Sequence, residues 1–142
     1  MKAVILDSGT LINLSLDGLL YILEELKKAS SAHFLITSEV KYETVDRPIN
    51  IPRFELGAIK VQNLIDLGIL EFPISFEITE KNLEQHTKDL MNMANHSVNV
   101  YGKWIQIVSP AEVSCLALSA ELTQRKIENI IAMDERTTRI LC

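Results

Sequence analysis

Two apolar runs of strand length in this sequence end directly in aspartate. Ala3-Val4-Ile5-Leu6 runs into Asp7-Ser8-Gly9, and Asn129-Ile130-Ile131-Ala132-Met133 runs into Asp134. Uncharged runs this short read as strands covered on both faces, and a parallel sheet delivers the residues that follow its strands to its ligand-binding edge. His33-Phe34-Leu35-Ile36-Thr37 and Trp104-Ile105-Gln106-Ile107-Val108 are further strand-like bursts, and Ile69-Leu70-Glu71-Phe72 before Pro73 reads as a short edge strand. Between them the spacing of apolar residues predicts helices over about Leu11 to Ala29, around Glu39 and Glu43 with Ser38 as cap, and from Phe54 to near Gly68. Two more are expected over Thr79 to Asn95 and from Ser109-Pro110-Ala111-Glu112 onward. The prolines of Asp46-Arg47-Pro48-Ile49-Asn50-Ile51-Pro52 mark a loop, and Asn95 to Gly102 is polar. Strand and helix signals alternate, which predicts α/β architecture.

With 142 residues, 47% of them hydrophobic and 23% charged, the chain fits one domain, residues 1–142, and excludes disorder. No apolar run approaches the roughly 18 residues of a membrane span. The amino terminus carries no small-residue cleavage signal, so a cytoplasmic protein with no membrane partner is expected. The sequence stops at Thr138-Arg139-Ile140-Leu141-Cys142, inside what reads as the helix after the last strand, so a further strand or domain is expected beyond it. Cys115 and Cys142 form neither a disulfide framework nor a metal-finger spacing and read as buried or terminal thiols. His86 and His96 stand ten apart, too far for a pair on one helix face, and read as surface residues. The net charge of -5 argues against tight nonspecific binding to nucleic-acid phosphate. A few carboxylates gathered around a divalent metal would weaken that argument, because the metal cancels them in use.

The acids are placed for such gathering. Asp7 and Asp134 follow strands, Glu112 opens a helix, and Glu39 and Glu43 lie one turn apart after the second strand. In a parallel sheet Asp7, Asp134, Glu112 and one of Glu39 and Glu43 can converge at the carboxyl edge. A carboxylate-only set is a hard oxygen site, suited to Mg²⁺ or Mn²⁺ rather than Zn²⁺. Each acid also has a plain structural use. Asp7 can bond the Ser8-Gly9 turn, Glu112 completes a Ser-x-x-Glu capping box, Asp134 can cap a helix and Glu43 can pair with Arg47. The combination carries the argument, not any one residue.

These residues resemble a PIN domain, the fold of metal-dependent nucleases. Val4-Ile5-Leu6-Asp7-Ser8-Gly9-Thr10-Leu11-Ile12 is similar to the family's opening strand, first metal aspartate and hydroxyl residue. Thr37-Ser38-Glu39-Val40-Lys41-Tyr42-Glu43 resembles its second acidic segment and favours Glu43 over Glu39. Ser109-Pro110-Ala111-Glu112 with Leu116-Ala117-Leu118-Ser119-Ala120 resembles the third, and Ile131-Ala132-Met133-Asp134-Glu135 the fourth. The segment from about Pro48 to Gly102 is longer than in compact members, and Met133 and Glu135 stand where a hydroxyl residue and a second aspartate are common.

The resemblance implies a three-layer α/β/α fold with a mainly parallel sheet, lacking its last strand. It also implies an endoribonuclease using Mg²⁺ or Mn²⁺. Asp7, Glu43, Glu112 and Asp134 would be catalytic, with Asp7, Glu112 and Asp134 on the metal. Ser8, Thr10, Glu39 and Glu135 would be auxiliary, and Lys41, Arg136 and Arg139 would guide substrate phosphate or serve as solvated helix charges. An RNA substrate is implied, with an antitoxin, ribosomal precursor or fused domain setting specificity. The alternative is a catalytically inactive module of the same fold that binds RNA or protein. The faces around Leu64, Ile65 and Leu67 and around Leu90, Met91 and Met93 serve either the core or a homodimer.

Other families fit worse. The phosphatases of the haloacid dehalogenase type need acids where Leu6 and Ser8 stand, so no aspartyl nucleophile is available. A response receiver would need neighbouring acids before a mid-chain phosphoacceptor and a late lysine, a pattern absent here. No phosphate-binding glycine loop follows the first strand.

Overall fold

β1 (Lys2–Leu6) leads through α1 (Ser8–Leu16) and α2 (Tyr21–Ser30) to β2 (His33–Leu35), and α3 (Ser38–Lys41) and α4 (Glu55–Asp66) lead on to β3 (Leu70–Glu71). α5 (Glu80–His96), two short strands β4 (Asn99–Val100) and β5 (Lys103–Trp104), and α6 (Pro110–Gln124) precede β6 (Glu128–Ala132). The structure, a computed structural model, describes residues 2–96, 99–100, 103–104 and 109–133.

β1, β2, β3 and β6 form one parallel sheet in the order β3-β2-β1-β6. The chain steps outward from β1 to β3 and then returns to the far side of β1. Parallel crossovers are right-handed, so this reversal moves the connecting helices to the other face of the sheet. α1 accordingly packs on α4 beside β3, and α5 packs on α6, which lies against β1 and β6. The result is the three-layer α/β/α architecture that the alternation and the resemblance imply. Ala3, Ile5, Leu6, Phe34, Leu35 and Leu70 are buried, as a doubly covered sheet requires.

Local chemistry explains where the elements break. The expected helix over Leu11 to Ala29 is two helices, because Gly18 adopts φ +69° and turns the chain between α1 and α2. Its leucines stay in phase across the break, which hid the turn. At the end of α4, Gly68 at φ +76° donates to Ile65 O at 3.0 Å and Ile69 N donates to Leu64 O at 3.0 Å, a Schellman stop. β2 ends at Leu35, two residues short of the expected strand, and Thr37 rather than Ser38 caps α3, accepting from Val40 N at 3.3 Å. Lys103–Trp104 pairs antiparallel with Asn99–Val100 and takes no part in the parallel sheet, against the expectation for the Trp104 burst; residues 105–108 lie outside the described set.

The two faces that serve either the core or a homodimer divide between core and surface. Leu64 is buried, and Ile65 and Leu90 pack against the core cluster, while Leu67 and Met93 are exposed. His86 is not a plain surface residue: its Nδ1 lies 3.2 Å from Glu121 Oε1 on α6. His96 has no described side chain. No helix among the described residues is long and apolar enough to cross a membrane.

Candidate functional site

Asp7 occupies the seam between β1 and β6, the point from which the strand order runs off in opposite directions. In open α/β sheets this is where ligands bind. Its N–H donates to Ala132 O at 3.1 Å and its C=O accepts from Leu11 N at 3.2 Å, so the backbone is fixed from both the neighbouring strand and α1. The residue is 3% exposed, and its side chain makes no capping bond to α1. Thr10 Oγ1 donates to the same Ala132 O at 2.9 Å, clamping the end of β6 to the first turn of α1. An anion at the amino end of α1 is also favoured by the helix dipole.

The second acidic segment reaches this seam through a side chain. Ser8 Oγ, in a residue 6% exposed, donates to Glu43 Oε2 at 2.6 Å. Glu43 belongs to a π-helical turn, Tyr42–Asp46, that continues α3, with Arg47 N donating to Tyr42 O at 2.9 Å. Ser8 engages Glu43 instead, and the ion pair with Arg47 expected from their i,i+4 spacing does not form. Lys41 is not a free phosphate guide either, since its Nζ sits 2.9 Å from Asp46 Oδ1.

α3 is anchored from beneath. Thr37 Oγ1 lies 2.6 Å from Ser114 Oγ, and Ser114 donates to Ala111 O at 2.6 Å. Ser114 has one proton, so Thr37 is the donor in their mutual bond. One turn earlier in α6, Ser109 Oγ accepts from Glu112 N at 3.2 Å with Pro110 at the first helical position, as the capping signature requires.

Cys115, overlooked in the sequence as a small buried residue, joins the acidic elements. Its Sγ is 3.9 Å from Asp7 Oδ1 and 3.9 Å from Leu6 O. Burial pushes its thiol well above the ordinary value, and the carboxylate of Asp7 adds to that. A hydrogen bond with Ser114 opposes the rise, and Glu39 and Glu112 reinforce it. Acids from the end of β1, from α3 and from α6 therefore bear on one sulfur atom. The sequence held the signal: Cys115 follows Glu112 by three residues and so shares its helix face.

Asp7, Ser8, Thr10 and Glu43 are thus joined at the carboxyl edge of β1, while Glu39 and Glu112 bear only on the Cys115 thiol. Asp134, Glu135, Arg136 and Arg139 lie outside the described residues. Among the described residues, no group of three or more His, Cys, Asp or Glu side chains is close enough to hold a metal ion. In kind, however, the donors fit a hard cation: carboxylates and hydroxyls, with the single thiol kept protonated. No protein-family model matches the chain, and no curated protein or solved structure matches it.

Proposed function

We propose that this chain is a PIN-like endoribonuclease that hydrolyses RNA phosphodiester bonds with the help of Mg²⁺ or Mn²⁺. The observation that carries the reading is the buried Asp7 at the β1/β6 seam, linked through Ser8 to Glu43. Asp7, with Glu112 and Asp134, would hold the cation, which when bound supplies an acidified water and neutralises charge on the leaving oxygen. The chain's own residues do the positioning. The Ala132 and Leu11 backbone bonds fix Asp7, and Ser8 holds one oxygen of Glu43, leaving the other to orient a water. Thr10 keeps the end of β6 against α1, so that the segment after Ala132 starts from a fixed point. Cys115 contributes no nucleophile, because its thiol stays neutral beside Asp7. The reading places the enzyme in the cytoplasm with RNA as its partner.

The test is cleavage of several unstructured and structured RNAs by purified protein with Mn²⁺, Mg²⁺ or EDTA. Metal-dependent products that disappear in Asp7→Asn support the reading. The second reading, an inactive module of the same fold that binds RNA or protein, is favoured by the lack of a three-residue metal group among the described residues. It wins if no RNA is cut and Mn²⁺ leaves the melting temperature unchanged.

A further inference from the structure

A groove of about 420 Å³ opens beside Glu43, between α1, the π turn and the start of α4. Its apolar wall includes Leu16, Ile51 and Phe54, and its cations are Arg47, Arg53 and Lys60. These cations are gathered in one place in an acid-rich chain. Lys2, Lys27, Lys28, Lys41, Lys88 and Arg125 each have a carboxylate within 4.0 Å, whereas Arg47, Arg53 and Lys60 have none among the described residues; Lys81 and Lys126, also without one, are not part of this groove. With 19 acids against 14 bases overall, three unpaired cations along one groove reverse the local sign. Phe54 is 38% exposed and carries the Arg53 guanidinium carbon 5.0 Å from its ring centroid. An exposed aromatic ring beside unpaired guanidinium groups matches the two faces of a nucleic-acid strand, base and phosphate.

We infer that this groove binds an unpaired stretch of RNA, with a base stacked on Phe54 and adjoining phosphates on Arg47, Arg53 and Lys60. The inference rests on the reading of the Asp7 site as one that acts on RNA, and it names the part of the molecule that holds the strand. Glu43 connects the two, since it lines the groove and also accepts the Ser8 hydrogen bond next to Asp7. A strand lying in the groove therefore runs toward the seam between β1 and β6. Single strands are preferred because a duplex hides the base faces that an apolar wall would contact, and phosphate pairing makes the affinity fall with salt.

The experiment is fluorescence anisotropy of a short, labelled, unstructured RNA in EDTA, which keeps cleavage out of the binding measurement, alongside cleavage assays with Mn²⁺. The expected result is that Phe54→Ala and the Arg47→Glu/Arg53→Glu double variant each weaken binding about tenfold. Phe54→Trp keeps stacking and binds as the parent does. Lys126→Glu changes an exposed cation at the opposite edge of the sheet and leaves affinity unaltered. All these side chains are solvent-exposed, and thermal melts confirm folding of each variant. Groove variants that bind and cut RNA like the parent overturn the groove proposal and leave the nuclease reading intact. Binding that depends on the groove, in a protein that cuts no RNA, overturns the nuclease reading and keeps the groove. Equal affinity for duplex and single strand overturns the stacking of a base on Phe54.

Discussion

Ser8 and Glu43, 35 residues apart in the chain, are joined by a 2.6 Å hydrogen bond from Ser8 Oγ to Glu43 Oε2. The bond fastens the residue after Asp7 to the π turn beyond α3, so the first two acidic segments are held as one unit. A charge-assisted bond in a part-buried setting is worth more than a neutral surface one.

Ser8→Ala should therefore lower unfolding free energy by about 1.5 kcal/mol, read as a shift of the urea midpoint at constant slope. Ser8→Thr, which keeps the hydroxyl, should restore most of it. A Ser8→Ala protein as stable as its parent would show that the bond does not hold these segments together.

Thr37 has two tasks, as cap of α3 and as donor to Ser114. Thr37→Val keeps the shape and loses both, at a cost of about 1 to 2 kcal/mol. Ser114→Ala should cost less, and the double variant less than the sum, since the two hydroxyls share one bond. Equilibrium denaturation of the cycle reads this coupling, and strict additivity would refute it.

The buried Cys115 thiol gives a pH dependence of known sign. Its folded pKa lies above the ordinary value of 9.0, so the unfolded chain loses this proton first as pH rises. The contribution to stability is complete below about pH 9 and is lost above it, at up to ~1.4 kcal/mol per pH unit for one proton. Lysines and tyrosines titrate there too, so the measurement is the difference between the parent and Cys115→Ala. That difference should shrink with rising pH, and Cys115 in the native protein should resist alkylation until it unfolds, with peptide mass spectrometry separating it from Cys142. Rapid alkylation of Cys115 at neutral pH would contradict the burial.

Gly57 lets α4 pass close to α1: a Cβ there would sit 2.6 Å from Ser15 Oγ and 3.8 Å from Ser15 Cβ. Only a rotatable hydroxyl blocks it. Gly57→Ala alone should be close to neutral, while Gly57→Ala with Ser15→Ala should gain about 0.5 to 1 kcal/mol from helix propensity. A thermal melt showing loss in the double variant would mean that the crossing depends on the glycine for more than this contact.

What could be read in the sequence was whatever is encoded over a few adjacent residues. The strand Ala3 to Leu6 and its Asp7, the cap Ser109-Pro110-Ala111-Glu112 and the strand before Met133 all carry their signals locally, and the parallel sheet follows from their alternation. The break at Gly18 was masked by leucines that keep helical phase through a turn. Glu43 bonds Ser8 and not Arg47, a choice made by a residue 35 positions away that no local pattern announces. Trp104 looks like a sheet strand because apolar content alone cannot tell a parallel partner from a local hairpin. The closeness of Cys115 to Asp7, and the shared groove of Arg47, Arg53 and Lys60, arise only once distant elements pack.

The central claim is that Asp7 and its companion acids hold a divalent cation for RNA cleavage. Its most direct test is titration with Mn²⁺, with the free ion followed by electron paramagnetic resonance, for the parent, Asp7→Asn and Lys126→Glu. The account predicts saturable binding by the parent and by Lys126→Glu, and binding at least about tenfold weaker in Asp7→Asn. Equal Mn²⁺ uptake with and without the Asp7 carboxylate, or none by the parent, would contradict it.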